Sequence, residues 1–414
     1  MSLHEILVTY FLLGIRIVLH GNHVMIGVFM SVRFILDKIH GSLGLNSCLL
    51  CLSPISKHVV SAYVKTAKEL NAPLYFNASL NQVDRDCGYT GWTPSSFKKH
   101  VLQVAGEHGF KGPIILQLDH GGPWLKDEHI ARNYSYSQAL DDFLKSLEAF
   151  IEAGFNVIHI DTTVDMENEN GYADLDKAVG RTIDLILYSE ELAMKYGVRL
   201  EYEIGSDRWG YKPVELLNEF AGRTLSGLRA RGFDTTRILF GVADVGTVVK
   251  PGNIVDPVVL KKYSDLMLKH NLYLKIHSGD YLENTVELTK HNVGGLNIGP
   301  MFAHVMYSAV KDVIREKIEE KQALEFLQEL NNLIAVSDKL SKYVGRKVSE
   351  VEEYKLGLAS RYIWSSTRAG DFLNKISANA GVNIEQYLIS RLCDVIRKYI
   401  ADLGLINLNT YIAD

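Results

Sequence analysis

The sequence predicts an α/β chain folded as a (β/α)8 TIM barrel with a helical annex at its C-terminal end. Three observations predict it. From about residue 47, short apolar, β-branched or aromatic runs alternate with helix-length amphipathic stretches. The alternation is sustained through about eight units with few long loops, and parallel strands joined by helices close into a barrel at that count. After residue 305 the strand pattern stops and helical periodicity runs to about residue 406. The chain then divides into an apolar N-terminal extension with a lead-in helix (1–40), the barrel (41–305) and a helical C-terminal region (306–414).

Residues 47–52 read as the first barrel strand and 57–70 as a helix, with Val60, Val64, Ala67 and Leu70 at helical spacing. Residues 73–78 make the next strand, 95–108 a helix and 113–118 (PIILQL) a third strand. In 137–153, Leu140, Phe143, Leu144, Leu147, Phe150 and Ile151 form one apolar stripe, closed by Gly154 as a C-cap. There follow strand 156–160 (NVIHI), a long helix 174–196, strand 198–204 (VRLEYEI), helix 213–231, strand 238–242, helix 257–270, and strands 272–276 and 295–298.

Of the 414 residues, 47% are hydrophobic and 22% charged, the composition of a soluble globular protein. A net charge of −5 argues against a nucleic-acid partner, which needs a basic face to neutralise phosphates. Acidic and basic residues are mixed, without a charged tail or polybasic anchor. Cys48-Leu49-Leu50-Cys51 has redox-motif spacing but lies in an apolar run, where buried thiols are inert, and no second pair completes a zinc site. A reducing, cytoplasmic setting follows as the expectation. The apolar run at 6–19 is about 14 residues with Arg16 inside it, short of the ~20 that span a bilayer. His4-Glu5 does not supply the basic start of a signal peptide. An added N-terminal element, or a start codon placed too far upstream, fits this run better than a membrane anchor.

In such barrels the active site lies at the C-terminal ends of the strands. Just past the strands stand Asp119-His120-Gly121-Gly122, Asp161-Thr162-Thr163, Gly205-Ser206-Asp207, Asp244 and His277-Ser278-Gly279-Asp280, with Glu201 and Glu203 in one strand and Asn297 in the last. A lone histidine there is more often structural, and a lone aspartate is often an N-cap. Together they are harder to dismiss, because burying so many ionisable groups without a function or a metal is costly. His with Glu or Asp and a second His suits a divalent cation, zinc first, with manganese or cobalt as alternatives. Lys250 and the amides near Ser278 and Gly279 are candidates to hold an anion. No GxxxxGK[ST] loop or other nucleotide cradle is visible, which speaks against a kinase.

PIILQLDHGG resembles the strand and Asp-His pair of the class II fructose- and tagatose-bisphosphate aldolases. Leu200-Glu201-Tyr202-Glu203-Ile204-Gly205 is similar to their strand with a metal-liganding glutamate, and Lys250-Pro251-Gly252-Asn253 to the segment after their second histidine ligand. Lys275-Ile276-His277-Ser278-Gly279 is similar to the turn bearing their last ligand, and Leu296-Asn297-Ile298 to their substrate-contacting Asn. Asn81-Gln82-Val83 with Gly88-Tyr89-Thr90-Gly91-Trp92-Thr93-Pro94 is a closer match, to the accessory Z subunit of tagatose-bisphosphate aldolase. Ser360-Arg361-Tyr362-Ile363-Trp364 is similar to that subunit's C-terminal region, so the resemblance runs from about residue 33 to 370.

The resemblance implies a metal held by His120, Glu203 and His277, with Asp119 as general base and Asp207 or Asp280 as a second acid/base. It implies substrate contacts from Asn81, Gln82, Lys250, Ser278, Gly279, Asp280 and Asn297. Two departures stand out. Gly246 occupies the position of the family's middle histidine, so Glu203 or Asp207 must replace that ligand, and Gly299-Pro300 replaces the family's phosphate-gripping Asp-Thr. Three functions fit: cleavage or formation of the C3–C4 bond of a tagatose- or fructose-type ketose phosphate, 4-epimerisation on the same metal site, or a non-catalytic stabilising role. The partners expected are a small ketose or ketose phosphate and, in assembly, a second copy or a catalytic aldolase subunit, with no nucleic acid and no membrane.

Overall fold

The computed structural model describes residues 15–20, 23–28, 31–42, 44, 47–207, 213–337 and 352–413. Most of the apolar run at 6–19 lies outside the described residues. Its end forms β1 (Ile15–His20), paired antiparallel with β2 (His23–Val28).

A short helix, α1 (Val32–Asp37), leads into eight parallel strands: β3 (Leu49–Leu52), β4 (Leu74–Ser79), β5 (Ile114–Gly121), β6 (Val157–Ile160), β7 (Glu201–Gly205), β8 (Ile238–Val242), β9 (Tyr273–Ile276) and β10 (Val293–Ile298). Each pairs with the next, and β10 returns to β3, which closes the barrel. Six strands are followed by helices: α2 (Lys57–Glu69), α3 (Pro94–Glu107), α4 (Tyr136–Glu152), α5 (Leu175–Tyr196), α6 (Val214–Ala230) and α7 (Pro257–Lys269). A 3-10 segment, Thr285–Lys290, follows β9, and α8 (Pro300–Lys317) follows β10. The predicted (β/α)8 barrel is therefore present, with every expected strand in place.

Local chemistry starts these helices where the sequence places them. Ser56 accepts from the Val59 amide, and Thr93 with Ser96 and Ser135 with Gln138 form capping boxes. Gly154 stands just after α4 at φ +83°, a left-handed position that suits glycine. At the bottom of the barrel α1 is fastened by Glu201, whose carboxylate accepts from Ser31 Oγ (2.5 Å) and the amides of Val32 (2.6 Å) and Arg33 (3.1 Å). An acid at a helix N-terminus is favourable there, and it gives Glu201 a structural role away from the mouth. Cys48 and Cys51 are free thiols in the core, and burial pushes the Cys51 thiol up to about 12.

The annex comprises α9 (Glu320–Ala335), α10 (Glu353–Ala359), α11 (Thr367–Ala380), α12 (Ile384–Asp402) and α13 (Leu408–Ala413). The buried face of α12 (Leu388, Leu392, Ile396, Ile400) packs on α2 and α8. The annex reaches the barrel: the Cys48 amide donates to Leu403 O (3.0 Å), and Tyr399 Oη donates to Gly279 O (3.1 Å) on the loop after β9. No helix among the described residues is long and apolar enough to cross a membrane.

Candidate metal centre

Side chains alternate in and out along a strand, so residues two apart share the barrel interior. That rule puts Tyr75 and Asn77, Gln117 and Asp119, His159 and Asp161, Glu201 and Glu203, Lys275 and His277, and Gly295 and Asn297 on the inner face in successive layers. β5 extends to Gly121, so Asp119 and His120 belong to the strand end itself.

The lower polar layer is built on Glu203, which is fully buried. Its Oε2 accepts from Lys275 Nζ (2.6 Å) and Gln117 Nε2 (2.7 Å), and its Oε1 from His277 Nε2 (3.0 Å). Burial alone would raise this carboxyl, but the charges of Lys275 and His159 and the His277 hydrogen bond hold it at about 2. Lys275 also lies over the rings of Tyr75 and Phe240, at 5.0 and 5.2 Å. Burial lowers its pKa, but nearby Cys51, Glu203 and Asp119 raise it further, so it is a fixed ammonium. A Schiff-base lysine needs the opposite shift.

Above this layer, His120 Nδ1 stands 3.0 Å from Asp161 Oδ2, which also accepts from Ser206 Oγ (2.8 Å). Asp161 Oδ1 accepts from the Thr163 hydroxyl (2.7 Å) and amide (3.2 Å). Against burial, the His120 hydrogen bond and the charges of His120 and His159 hold Asp161 at about 2. An ionised carboxylate only accepts, so each imidazole gives its proton to its own carboxylate: His120 from Nδ1 to Asp161, His277 from Nε2 to Glu203. The remaining nitrogens, His120 Nε2 and His277 Nδ1, face each other at 3.1 Å, with Asp207 Oδ1 at 3.8 and 3.7 Å. Two lone pairs at that separation need a positive centre between them. Burial opposes charge on His277, yet Asp119, Asp207 and Glu203 push its pKa up to about 10, so a proton fills that role here.

The same atoms fit a metal. Bonds of ~2.0–2.2 Å at tetrahedral angles place ligand atoms roughly 3.3–3.6 Å apart. The three observed separations, 3.1, 3.7 and 3.8 Å, bracket that value. Asp119, His159, Glu203 and His277 form a second, fully buried group that shares His277 with the first, and His120, His159 and Asp161 form a third. The triad expected from the sequence is thus divided: Glu203 shares a group with His277 but not with His120, whereas Asp207 joins both histidines.

His159 is the main residue the sequence reading passed over. Its Nε2 lies 2.9 Å from Gly205 O and its Nδ1 3.3 Å from Asp119 Oδ1. Both oxygens are acceptors, so the ring donates from each nitrogen and is charged. Against burial, Glu203, Asp119 and Asp161 raise its pKa. His120 has φ +50°, strained for a residue with a Cβ, and the His159 ring lies against its own, centroids 5.0 Å apart. Its position in NVIHI, two before Asp161 on the inner face, was the available sign. Asn77 was also missed. Its Nδ2 donates to Asp119 Oδ2 (3.3 Å), and Asn297 Nδ2 reaches both Asp119 oxygens (3.3 Å each). Because Asp119 only accepts, these contacts fix both amides, and the Oδ1 atoms of Asn77 and Asn297 are buried with no partner among the described residues. Burial raises the Asp119 carboxyl, but His120, His277 and His159 hold it well below the usual carboxylate range.

Other expected contacts have structural partners. Asn81 spans Leu125 O (3.1 Å) and the Asp127 amide (2.8 Å), and Gln82 Oε1 accepts from the Ser79 amide (2.9 Å). Lys250 is exposed on the turn after β8. Asn253 in the same segment is buried and clamps the loop after β9, donating to Ser278 O and Asp280 O (2.9 Å each). The Gly279 amide donates to Asn297 O (2.9 Å), so it is committed within the barrel.

Fold and site together define a closed (β/α)8 barrel whose mouth holds a buried Asp/His/Glu cluster able to bind a metal. Residues 40–208 match the family model described as "D-tagatose-1,6-bisphosphate aldolase subunit GatZ/KbaZ-like", in agreement with the resemblance read from the sequence. Among solved structures, the chain is similar to one described as a "probable tagatose 6 phosphate kinase" from Sinorhizobium meliloti 1021, at TM-score 0.68 and 21% identity over 88% of this chain and 99% of that one. It is also similar to a fructose-bisphosphate aldolase from Campylobacter jejuni, at TM-score 0.52 and 14% identity over 91% of this chain and 96% of that one. At these identities the likeness is one of fold.

Proposed function

We propose that the protein is a divalent-metal-dependent, aldolase-type enzyme acting on a tagatose- or fructose-type ketose. One observation carries the reading: His120 Nε2, His277 Nδ1 and Asp207 Oδ1 converge within 3.1–3.8 Å, each imidazole aimed by its own carboxylate. His120, His277 and Asp207 would hold the ion, with Asp207 in the place of the missing histidine. Glu203 and Asp161 then orient ligands, which is what carboxylates behind metal-bound histidines do. Zinc suits this donor set best, with manganese or cobalt as alternatives.

A cation bound there supplies Lewis-acid polarisation of a ketose carbonyl and its neighbouring hydroxyl. The chain supplies the rest. Asp119 is ionised and buried beside this point, positioned to take the C4-hydroxyl proton as the C3–C4 bond breaks. Asn77 and Asn297 steer Asp119 with their amide protons and offer substrate hydroxyls two oxygens that have no partner among the described residues. That pairing of acceptors with a base suits a polyol.

The same parts serve 4-epimerisation if the cleaved halves rejoin on the other face. The matched family's description as an aldolase subunit favours a second reading, in which the barrel stabilises a catalytic partner. Metal analysis and product analysis separate the three. The enzyme readings expect about one divalent ion per chain, lost in His120→Ala and His277→Ala. Triose products from a ketose phosphate then mean aldolase, and a new hexose without trioses means epimerase. A chain that takes up no metal and acquires activity only with a second barrel subunit leaves the stabilising role.

A further inference from the structure

Barrels commonly hold a substrate phosphate between the loops after the seventh and eighth strands, where backbone amides at a helix N-terminus point at the anion. Here those loops follow β9 and β10, and the helix is α8. The position is already filled. Asp280, on the loop after β9, is 1% exposed, and its Oδ1 accepts from the Gly299 amide (3.2 Å) and the Met301 amide (2.7 Å) at the start of α8. The loop is shaped to deliver this carboxylate. Ser278 and Tyr281, on either side, have φ +55° and +58°, conformations that cost side-chain-bearing residues strain. Asn253 pins the Ser278 and Asp280 carbonyls from one side, and Tyr399 of the annex holds Gly279 O from another. The opposite wall leaves no slack, because a Cβ on Gly299 would lie 2.8 Å from Ser53.

We infer that Asp280 is a specificity-determining residue: it occupies the anion cradle of this barrel with the protein's own carboxylate, so the sugar carries no phosphate at the end that meets β9 and β10. An incoming phosphate there would meet a buried like charge and amides already engaged. A hydroxyl-bearing sugar terminus meets neither obstacle. The favoured substrate class is therefore a ketose with a free hydroxyl at that end.

The inference rests on the reading of this mouth as a metal-centred sugar site, but its test needs no turnover. Inorganic phosphate is titrated into the full-length chain and into Asp280→Ala, with calorimetry and thermal shift as readouts. Wild type is expected to show no saturable binding, and vacating the cradle is expected to improve phosphate affinity by about tenfold or more. Should alanine prevent folding, Asp280→Ser keeps a short acceptor for the Met301 amide, empties the rest of the cradle and carries the same expectation. Saturable phosphate binding by wild type that the variant does not improve overturns the inference. So does a folded variant that gains no phosphate. A chain without metal or turnover would sink the proposed enzyme while leaving this comparison readable, and equal phosphate binding would sink this inference while leaving the metal centre standing.

Discussion

His277 shows how much depends on which atom of a side chain points where. Its Nε2 is tied to Glu203 and its Nδ1 faces His120 and Asp207, so one ring joins the buried layer to the mouth. Glu203 should therefore act through His277. Glu203→Gln is expected to weaken metal binding by roughly 10–100-fold, as loss of an orienting carboxylate does, while Asp207→Ala removes a ligand and weakens it further. Competition with a chelator measures both, and equal affinities in Glu203→Gln and wild type would contradict the assignment. For Asp119, replacement by Asn is expected to lower kcat by about 10²–10⁴-fold with metal content unchanged. The sequence made His120, His277, Asp119 and Asp207 legible because each closes a strand in a regular alternation. It could not apportion Glu203 and Asp207, since that depends on which carboxylate Lys275 and Gln117 claim, a contact across three strands.

The loops and helices carry their own chemistry. The segment Asn81–Pro94, the most specific string in the sequence, is an internally braced loop. Tyr89 N donates to Asn81 O (2.9 Å) and Thr90 Oγ1 to Gln82 O (2.6 Å), and a Cβ on Gly88 would meet Gln82 O at 2.3 Å. Its buried Asp84 pairs with Lys126 (2.7 Å), and Asp86 joins from outside (2.6 Å). Lys126→Met leaves Asp84 buried without its main partner and is expected to cost about 3–5 kcal/mol in chemical denaturation. A specific motif thus marked architecture as well as chemistry, a distinction invisible without the partners. On α2, His58 is buried beside Glu385 of α12 (3.7 Å). Burial, helped by the Lys57 charge, lowers its pKa to about 4 against the pull of Glu385. The folded state thus keeps His58 neutral, where the unfolded chain protonates it near pH 6.5. Stability is fully present above about 6.5 and is lost as pH falls from there towards 4, by on the order of 3 kcal/mol. His58→Met should flatten that part of the Tm-versus-pH curve, and an unchanged slope would count against it.

At the scale of the molecule, annex and barrel share one hydrophobic core. The α12 face covers α2 and α8, and Tyr399 reaches the loop that carries Asp280. A chain ending before α12 exposes that apolar surface and should aggregate or lose its thermal transition, while a soluble truncated barrel with wild-type Tm would contradict this. The barrel and its strands could be read directly, because short apolar runs regularly separated by amphipathic helical stretches have few other solutions. The annex was legible only as helices: nothing in its periodicity says which barrel helices it covers. Every functional statement returns to the pair of imidazoles at the mouth. X-ray absorption of the zinc-loaded chain tests it most directly. The account predicts a first shell at ~2.0–2.2 Å with two imidazoles and a carboxylate, reduced to one imidazole in His277→Ala. A shell without imidazole scattering, or one that His277→Ala leaves unchanged, would contradict it.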